Sequence, residues 1–455
     1  MRSAWRWGIG VLVAVGMLMA PAAAMATDFS LGGYVAMYTI WDSTQTTNNL
    51  RYMRRSNNPD FEHGRLRLSA ERTRMNFTMK GPKIWGARTT GFIEIDFDQA
   101  GNQFSIGGIG WASPQKARPR LRHAMFRLTW PATELLMGQY WSLLSFDPTE
   151  AARPGTSGIP GITWFRVPQI RLTQKFMGCV TMAIAVSDPL NGPDNLSVPG
   201  DQAAVNNQYL GESSETPRVS GSIKFQKDLW GKAAFYGKPR PFSAQVAVGW
   251  QRTRYRTFTG NGRIFGQNTY NTVVVSQSNQ QYLDPWVVAG SLFIPLVTTD
   301  SANLAHTMSL LAHIYVGQGL DVAKEASPAN SSYLVFNRVQ GGVLLGERQL
   351  AHQWGGLVQL QYYITNQWYI NLLGGMQHVY GVDRDRWIGT TTAADPPNYN
   401  EQAYITLWYR PIQALKFGVE YGYARTGYFQ YIQRGSVKSD YGDNHEVLFV
   451  GFFFF

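Results

Sequence analysis

Basic residues cluster in three stretches of this chain, each of one parity except the first, whose parity changes between Arg67 and Arg72. Arg65 and Arg67 precede Arg72 and Arg74; His123 precedes Arg127; Arg171 precedes Lys175. Between the first two stretches lie Glu94 and Asp96, also of one parity. Such residues do no covalent chemistry on their own. In an extended chain they face one way, and a wall of fixed positive charge along a confined aqueous path concentrates anions. If the same arginines pair with Glu94, Asp96 and loop acids instead, the wall is nearly neutral. A second set, Asp147, Glu150 and Arg153, lies beside Leu143, Leu144 and Phe146 in the segment 141–164. Charges beside apolar residues on a long connection suit a loop folded inward as a constriction, or one packed at a subunit contact.

Other chemistry has little to stand on. The seven histidines, His63, His123, His306, His313, His352, His378 and His445, sit in no nucleophile motif, and covalent catalysis needs a nucleophile, a base and an orienting group together. His306 and His313 are read on one strand with opposite parity, so they do not share a face. Cys179 is the single cysteine, which excludes an intrachain disulfide framework and Cys-rich metal sites. No cofactor and no metal are expected. The formal net charge of +11 suggests nucleic acid, but the export signal described below argues against that partner.

The elements that must hold these side chains are strands. Period-two alternation recurs over 29–40, 64–79, 87–98, 119–130, 133–140, 165–176, 178–187 and 217–227, then 242–253, 284–296, 304–316, 353–364, 367–378, 401–410, 413–424 and 444–455. Each is near the length a tilted strand needs to cross a bilayer, about 9–11 residues. Connections alternate long and short. The long ones are 41–63, 99–118, 141–164, 188–216, 254–283, 317–352, 379–400 and 425–443. The segment 228–241 is the least tight of the short ones. Eight long loops on one side predict an all-β fold: a 16-stranded antiparallel transmembrane β-barrel with short periplasmic turns and long extracellular loops.

Parity then sorts lipid from water. Ile93, Ile95 and Phe97 face out, so Glu94 and Asp96 face in. Ile170, Leu172 and Phe176 face out, so Arg171 and Lys175 face in. Ala124, Phe126, Leu128 and Trp130 face out, leaving His123 and Arg127 inside. On the second strand the apolar phase slips between Leu68 and Met75; a bulge near Glu71 restores it and turns Arg65, Arg67, Arg72 and Arg74 inward. An arginine on the lipid face at mid-bilayer costs about 2–4 kcal/mol, which fixes the register.

Both ends of the chain agree. The last strand carries Val447, Phe449, Phe453 and Phe455 on one parity and stops on phenylalanine, as a lipid-facing strand with an interfacial aromatic does. Residues 1–26 read as a signal peptide: Arg2 and Arg6, an apolar run from Gly8 to Ala20, and Ala24-Met25-Ala26 as the cleavage site. Residues 27–455 then form one barrel domain. Aromatics make up 14% of the chain, which suits two interfacial girdles.

The stretches Gly91–Phe97, Leu121–Phe126, Gly138–Trp141, Val167–Thr173 and Trp354–Gly375 resemble successive motifs of DcaP-like trimeric porins, within the general Gram-negative porin superfamily. The resemblance implies a homotrimer in the outer membrane of a Gram-negative bacterium that passes dicarboxylates or similar anions, with Arg74 and Arg171 as its safest matching arginines. The expected function is passive diffusion of small hydrophilic solutes, anions preferred, without catalysis. A plugged structural or adhesive barrel is the alternative, and a barrel-embedded enzyme the lesser one. Membrane lipid is the expected surrounding. Arg51, Arg54, Arg55, Arg252, Arg254 and Arg256 are candidates to meet lipopolysaccharide phosphates.

Overall fold

The computed structural model describes residues 28–44, 63–99, 118–153, 159–189, 214–255, 258–264, 269–275, 281–320, 332–340, 343–381, 388–389, 397–428 and 441–455. The signal-peptide segment, Arg51, Arg54, Arg55, Arg256 and part of every long loop lie outside the described residues.

Alternating residues become alternating faces of one closed sheet. In chain order its strands are β1 (Asp28–Asp42), β2 (Arg65–Ser69 continued by Arg74–Ile84), β3 (Ala87–Gln99), β4 (Arg118–Thr129), β5 (Thr133–Trp141), β6 (Arg166–Phe176), β7 (Val180–Ser187) and β8 (Arg218–Lys227). They continue as β9 (Phe242–Trp250), β10 (Trp286–Val297), β11 (Met308–Gln318), β12 (His352–Tyr363), β13 (Trp368–Tyr380), β14 (Pro397–Ile412), β15 (Leu415–Tyr428) and β16 (Tyr441–Phe454). Each pairs antiparallel with the next, and β16 returns to β1 through Phe454↔Tyr34 to Glu446↔Asp42. Closure leaves no open edge, as a lipid-spanning sheet requires. The expected sixteen-stranded barrel is the observed one, and each expected strand is found within a few residues.

The outer wall is apolar where lipid would meet it. Val246, Val248, Ile170, Leu172, Val419 and Ile405 are all exposed. Aromatics ring both ends: Trp41, Trp250, Trp286 and Tyr380 at the long-loop end, Trp85, Trp230, Trp368 and Phe455 at the other. Val447, Phe449 and Phe453 face out as expected. The opposite parity of β16 is apolar too, with Leu448 and Val450 buried on the inside.

Two irregularities aim basic side chains. In β2 the chain turns at 70–73, where Thr73 N donates to Ala70 O (3.0 Å) and Phe97 N donates to Glu71 O (3.1 Å). This is the expected bulge. A second one was not expected: on β4, Glu94 pairs with His123 but Ile95 pairs with Leu121, so Arg122 is the extra residue. Leu121 then faces out, while Arg122 and His123 are both buried.

Three further points differ from the sequence reading. β11 begins at Met308, so His306 lies in the turn before it, where its ring meets Tyr362 Oη at 3.1 Å. The long loops are not all irregular. Phe258–Ile264, Thr269–Val275, Ser332–Gln340, Val343–Leu350 and Ile388–Gly389 form a separate five-stranded sheet beyond the barrel; β-branched runs such as Val273–Val275 favour strand wherever they can pair. The connection 228–241 is not a simple turn: Ala233–Phe235 pairs with Lys238–Arg240 as a hairpin inside the barrel.

Candidate functional site

The connection between β5 and β6 bends into the lumen. Its first half packs Leu144 and Phe146 with Ala247, Val287, Ala289 and Tyr315 on the inner wall. Small residues there leave room for it. Its second half packs Ile159 and Ile162 against Leu357, Leu373 and Tyr404. Glycine is needed where the two backbones touch. A Cβ on Gly161, whose φ is +89°, would come within 2.1 Å of Gly356 O, and one on Gly375 within 2.3 Å of Pro160 O.

Polar contacts pin the loop between these apolar patches. Glu150 N donates to Gln359 Oε1 (2.7 Å), and Trp408 Nε1 donates to Glu150 O (2.8 Å). The Glu150 carboxylate accepts from Gln361 and lies 3.5 Å from Lys416 Nζ. Ala152 N and Arg153 N donate to Glu420 at 2.6 and 3.0 Å, and the Arg153 guanidinium reaches Gln402 at 2.7 Å. Asp147 accepts from Arg240 Nη2 at 2.6 Å. Asp147, Glu150 and Arg153 are thus anchors, Asp147 to Arg240 and the other two to the barrel wall.

Asp147 carries a pH dependence. Burial opposes its charge, but the hydrogen bond and positive charge of Arg240 outweigh burial and hold the carboxyl below its ordinary value. A depressed carboxyl stabilises the fold above its unfolded value, and that stability goes as pH falls through the folded value. We expect the thermal unfolding midpoint of the detergent-solubilised barrel to be insensitive to this pair from pH 8 to 5. Below about pH 4 the pair's contribution, about 1.5–3 kcal/mol, should be lost. Asp147→Asn should lower the midpoint at neutral pH and flatten that part of the acid limb. An acid limb identical to the native protein's would exclude Asp147 as its source.

The loop leaves open a space of about 570 Å³ against the β16–β1–β2 side of the barrel. Near its long-loop end the lining includes Arg72, Arg74, Arg120, Arg122 and Arg166; near the short-turn end it includes Arg410 and Lys416. Tyr34, Tyr38, Trp408, Phe452 and Phe454 line the wall toward the short-turn end. Cations lie over rings throughout: Arg166 over Trp141 (5.0 Å), Arg74 over Tyr34 (5.2 Å), Arg410 over Phe454 (5.5 Å) and Lys416 over Trp408 (3.8 Å). Such stacking fixes the orientation of each charge.

The acids of β3 are compensated. Asp96 accepts from Arg120 (2.9 and 2.8 Å) and Arg122 (2.6 Å). Glu94 accepts from Arg122 at 2.6 Å and has Arg74 at 3.6 Å. Nearer the short turns, Glu134 lies 3.7 Å from both Arg127 and Arg171. Pairing with Glu94 and Asp96 therefore occurs, yet cations still outnumber acids in the lining. Among described residues Glu150 is its single carboxylate, and that carboxylate is bound to the wall.

Of the residues singled out from sequence, Arg74, Glu150 and Arg153 line the open space, with Glu94 and Asp96 directly behind it. Arg67 lies on the inner face near the long-loop end, Arg127 and Arg171 nearer the short turns, and Lys175 at the short-turn rim. None of these four lines that space. Arg120, Arg122, Arg166 and Arg410 were missed. A signal existed on β4: Arg118, Arg120 and Arg122 share the parity of the lipid-facing Ala124 and Phe126, a conflict that demands a bulge. At the outer rim Arg252 pairs with Asp284 (2.9 Å), so its charge is already answered there.

Solved structures that share the fold include the following two. The outer membrane channel DcaP of Acinetobacter baumannii is 18% identical, with a TM-score of 0.62 over 94% of this chain and 97% of that one. OmpF of Salmonella typhi, solved in complex with daunomycin, is 11% identical, with a TM-score of 0.50 over 94% and 98%. No family model matches the chain, and no curated protein sequence is similar to it. What the chain shares with them is the fold, a closed antiparallel transmembrane β-barrel.

Proposed function

We propose that this chain is a porin of the Gram-negative outer membrane that lets small hydrophilic anions diffuse through its lumen. The observation that carries this reading is the lining of the open space: clustered arginines at one end, Arg410 and Lys416 at the other, and one wall-bound carboxylate between. Fixed cations along a narrow aqueous path with low-dielectric walls raise the local anion concentration and do not need to close around the solute. Two separated cationic stations suit a dianion such as a dicarboxylate better than a monoanion. The inward loop acts as the constriction, with Asp147, Glu150 and Arg153 fixing its position. Arg127, Arg171 and Lys175 extend the basic wall toward the periplasm, and Arg67 extends it outward. The barrels assemble as a homotrimer, with lipid and lipopolysaccharide as their surroundings. No catalytic step is assigned to the chain.

Planar-bilayer recording of the refolded protein across a KCl gradient tests this. Stepwise conductance that closes in threes, with a reversal potential on the chloride side, is the expected result. A folded, heat-modifiable barrel that does not conduct would mean a plugged lumen. A reversal potential on the potassium side would overturn the anion preference.

A further inference from the structure

We infer that the hairpin 233–240 is the second half of the constriction, built from the opposite end of the barrel, and that Arg240 and Tyr236 are its positioning residues. This rests on the porin reading of the inward loop. The hairpin arises from the connection between β8 and β9, on the short-turn side, yet it lies inside the barrel. Ala233 and Ala234 are buried, and Ala234 joins the lumen cluster with Ala152 of the inward loop, Tyr363 and Trp408. Ala234 N lies within hydrogen-bond reach of Thr307 Oγ1 (3.4 Å), and Ser309 Oγ donates to Ala234 O at 3.0 Å.

Its tip is aimed at the loop. Tyr236 and Gly237 have φ of +51° and +71°, the pair that closes a two-residue turn matching strand twist. Tyrosine rarely adopts that region, and such residues persist where surroundings over-determine them. Here Tyr236 Oη donates to Thr149 O of the inward loop at 2.8 Å, and Gly237 N donates to Tyr363 Oη at 3.0 Å. Tyr236 also lines the open space, with Lys416 Nζ 5.9 Å from its ring.

Arg240 closes the connection. Its guanidinium sits 4.5 Å from the Phe235 ring and 4.6 Å from the Phe293 ring, which fix its plane. Nη2 then bonds both Ser243 Oγ (2.7 Å) and Asp147 (2.6 Å). The loop is therefore held from the extracellular-loop side by its own ends and from the short-turn side by this hairpin. Loosening the hairpin therefore frees one side of the loop.

Single-channel recording of Arg240→Ala, Tyr236→Gly and the charge exchange Arg240→Asp with Asp147→Arg tests the inference. Arg240→Ala and Tyr236→Gly should raise open-channel noise and unit conductance while chloride preference is kept, because the arginines near the long-loop end are untouched. The charge exchange should return noise toward the native level, which a generally weakened barrel would not do. Arg252→Ala, at the outer rim, is the control. Chymotrypsin cleavage after Phe146 gives a readout independent of conduction: faster cleavage in Arg240→Ala than in the control is expected. Native noise together with native cleavage in both hairpin variants would overturn the inference. If the native protein does not conduct, the porin reading fails, and the cleavage assay still decides whether the hairpin holds the loop.

Discussion

Replacing Arg120 and Arg122 together by alanine should sharply weaken the anion preference proposed for the pore. The two guanidinium groups compensate Asp96 and Glu94 through bonds of 2.6 to 2.9 Å. Their loss leaves two carboxylates beside the open path with fewer cations to answer them, Arg74 remaining 3.6 Å from Glu94. At an effective dielectric of about 20, charges roughly 8 Å apart interact by about 2 kcal/mol. Since about 1.4 kcal/mol is a tenfold change, the chloride-to-potassium permeability ratio should fall by about tenfold or more at low salt. The change should shrink in 1 M KCl, where the screening length is about 3 Å. Uncovering buried acids is also destabilising, by about 3–5 kcal/mol for a broken buried pair. The companion variant Glu94→Gln with Asp96→Asn keeps the arginines and should move selectivity the other way. Reversal potentials unchanged in both variants would remove the β4 arginines as the source of selectivity.

Glu150→Ala should release the inward loop. Gln361, Tyr369 and Lys416 surround its carboxylate, and Lys416 would be left with an unanswered charge in the wall. Removing one partner of such a pair costs about 3–5 kcal/mol, whereas removing both costs less. We therefore expect a lowered thermal midpoint, higher unit conductance and stronger chloride preference for Glu150→Ala. Glu150→Gln with Lys416→Gln should recover most of the midpoint. A native conductance in Glu150→Ala would mean that the backbone bonds to Gln359 and Trp408 hold the loop without the side chain.

These two predictions divide between what could and could not be read along the chain. The phase slip between Leu68 and Met75 announced a bulge and correctly turned Arg72 and Arg74 inward. The same kind of slip lies on β4, between Arg120 and Ala124, but no bulge was expected there, and that bulge decides the orientation of the two arginines with the largest expected effect on selectivity. The excess length of 228–241 marked an unusual connection, but its entry into the lumen depends on Thr307, Tyr363 and Asp147, which are distant in sequence. Arg171 and Lys175 have the inward parity expected of them. Parity says nothing of depth, however, and neither lines the open space.

The sequence by itself determined the sixteen strands and, away from the β4 bulge, the face that most of their side chains present. The physical reason is local: side chains alternate at every residue, and a charge facing lipid costs several times thermal energy. Only the tertiary structure decided which charges remain to meet a solute. That depends on where the β5–β6 loop lands, with Glu150 reaching Gln359 and Arg153 reaching Gln402 across the lumen. It also depends on which arginines are taken up by Glu94 and Asp96. Both are contacts between residues far apart in the chain, fixed by barrel closure and packing, and no local periodicity encodes them.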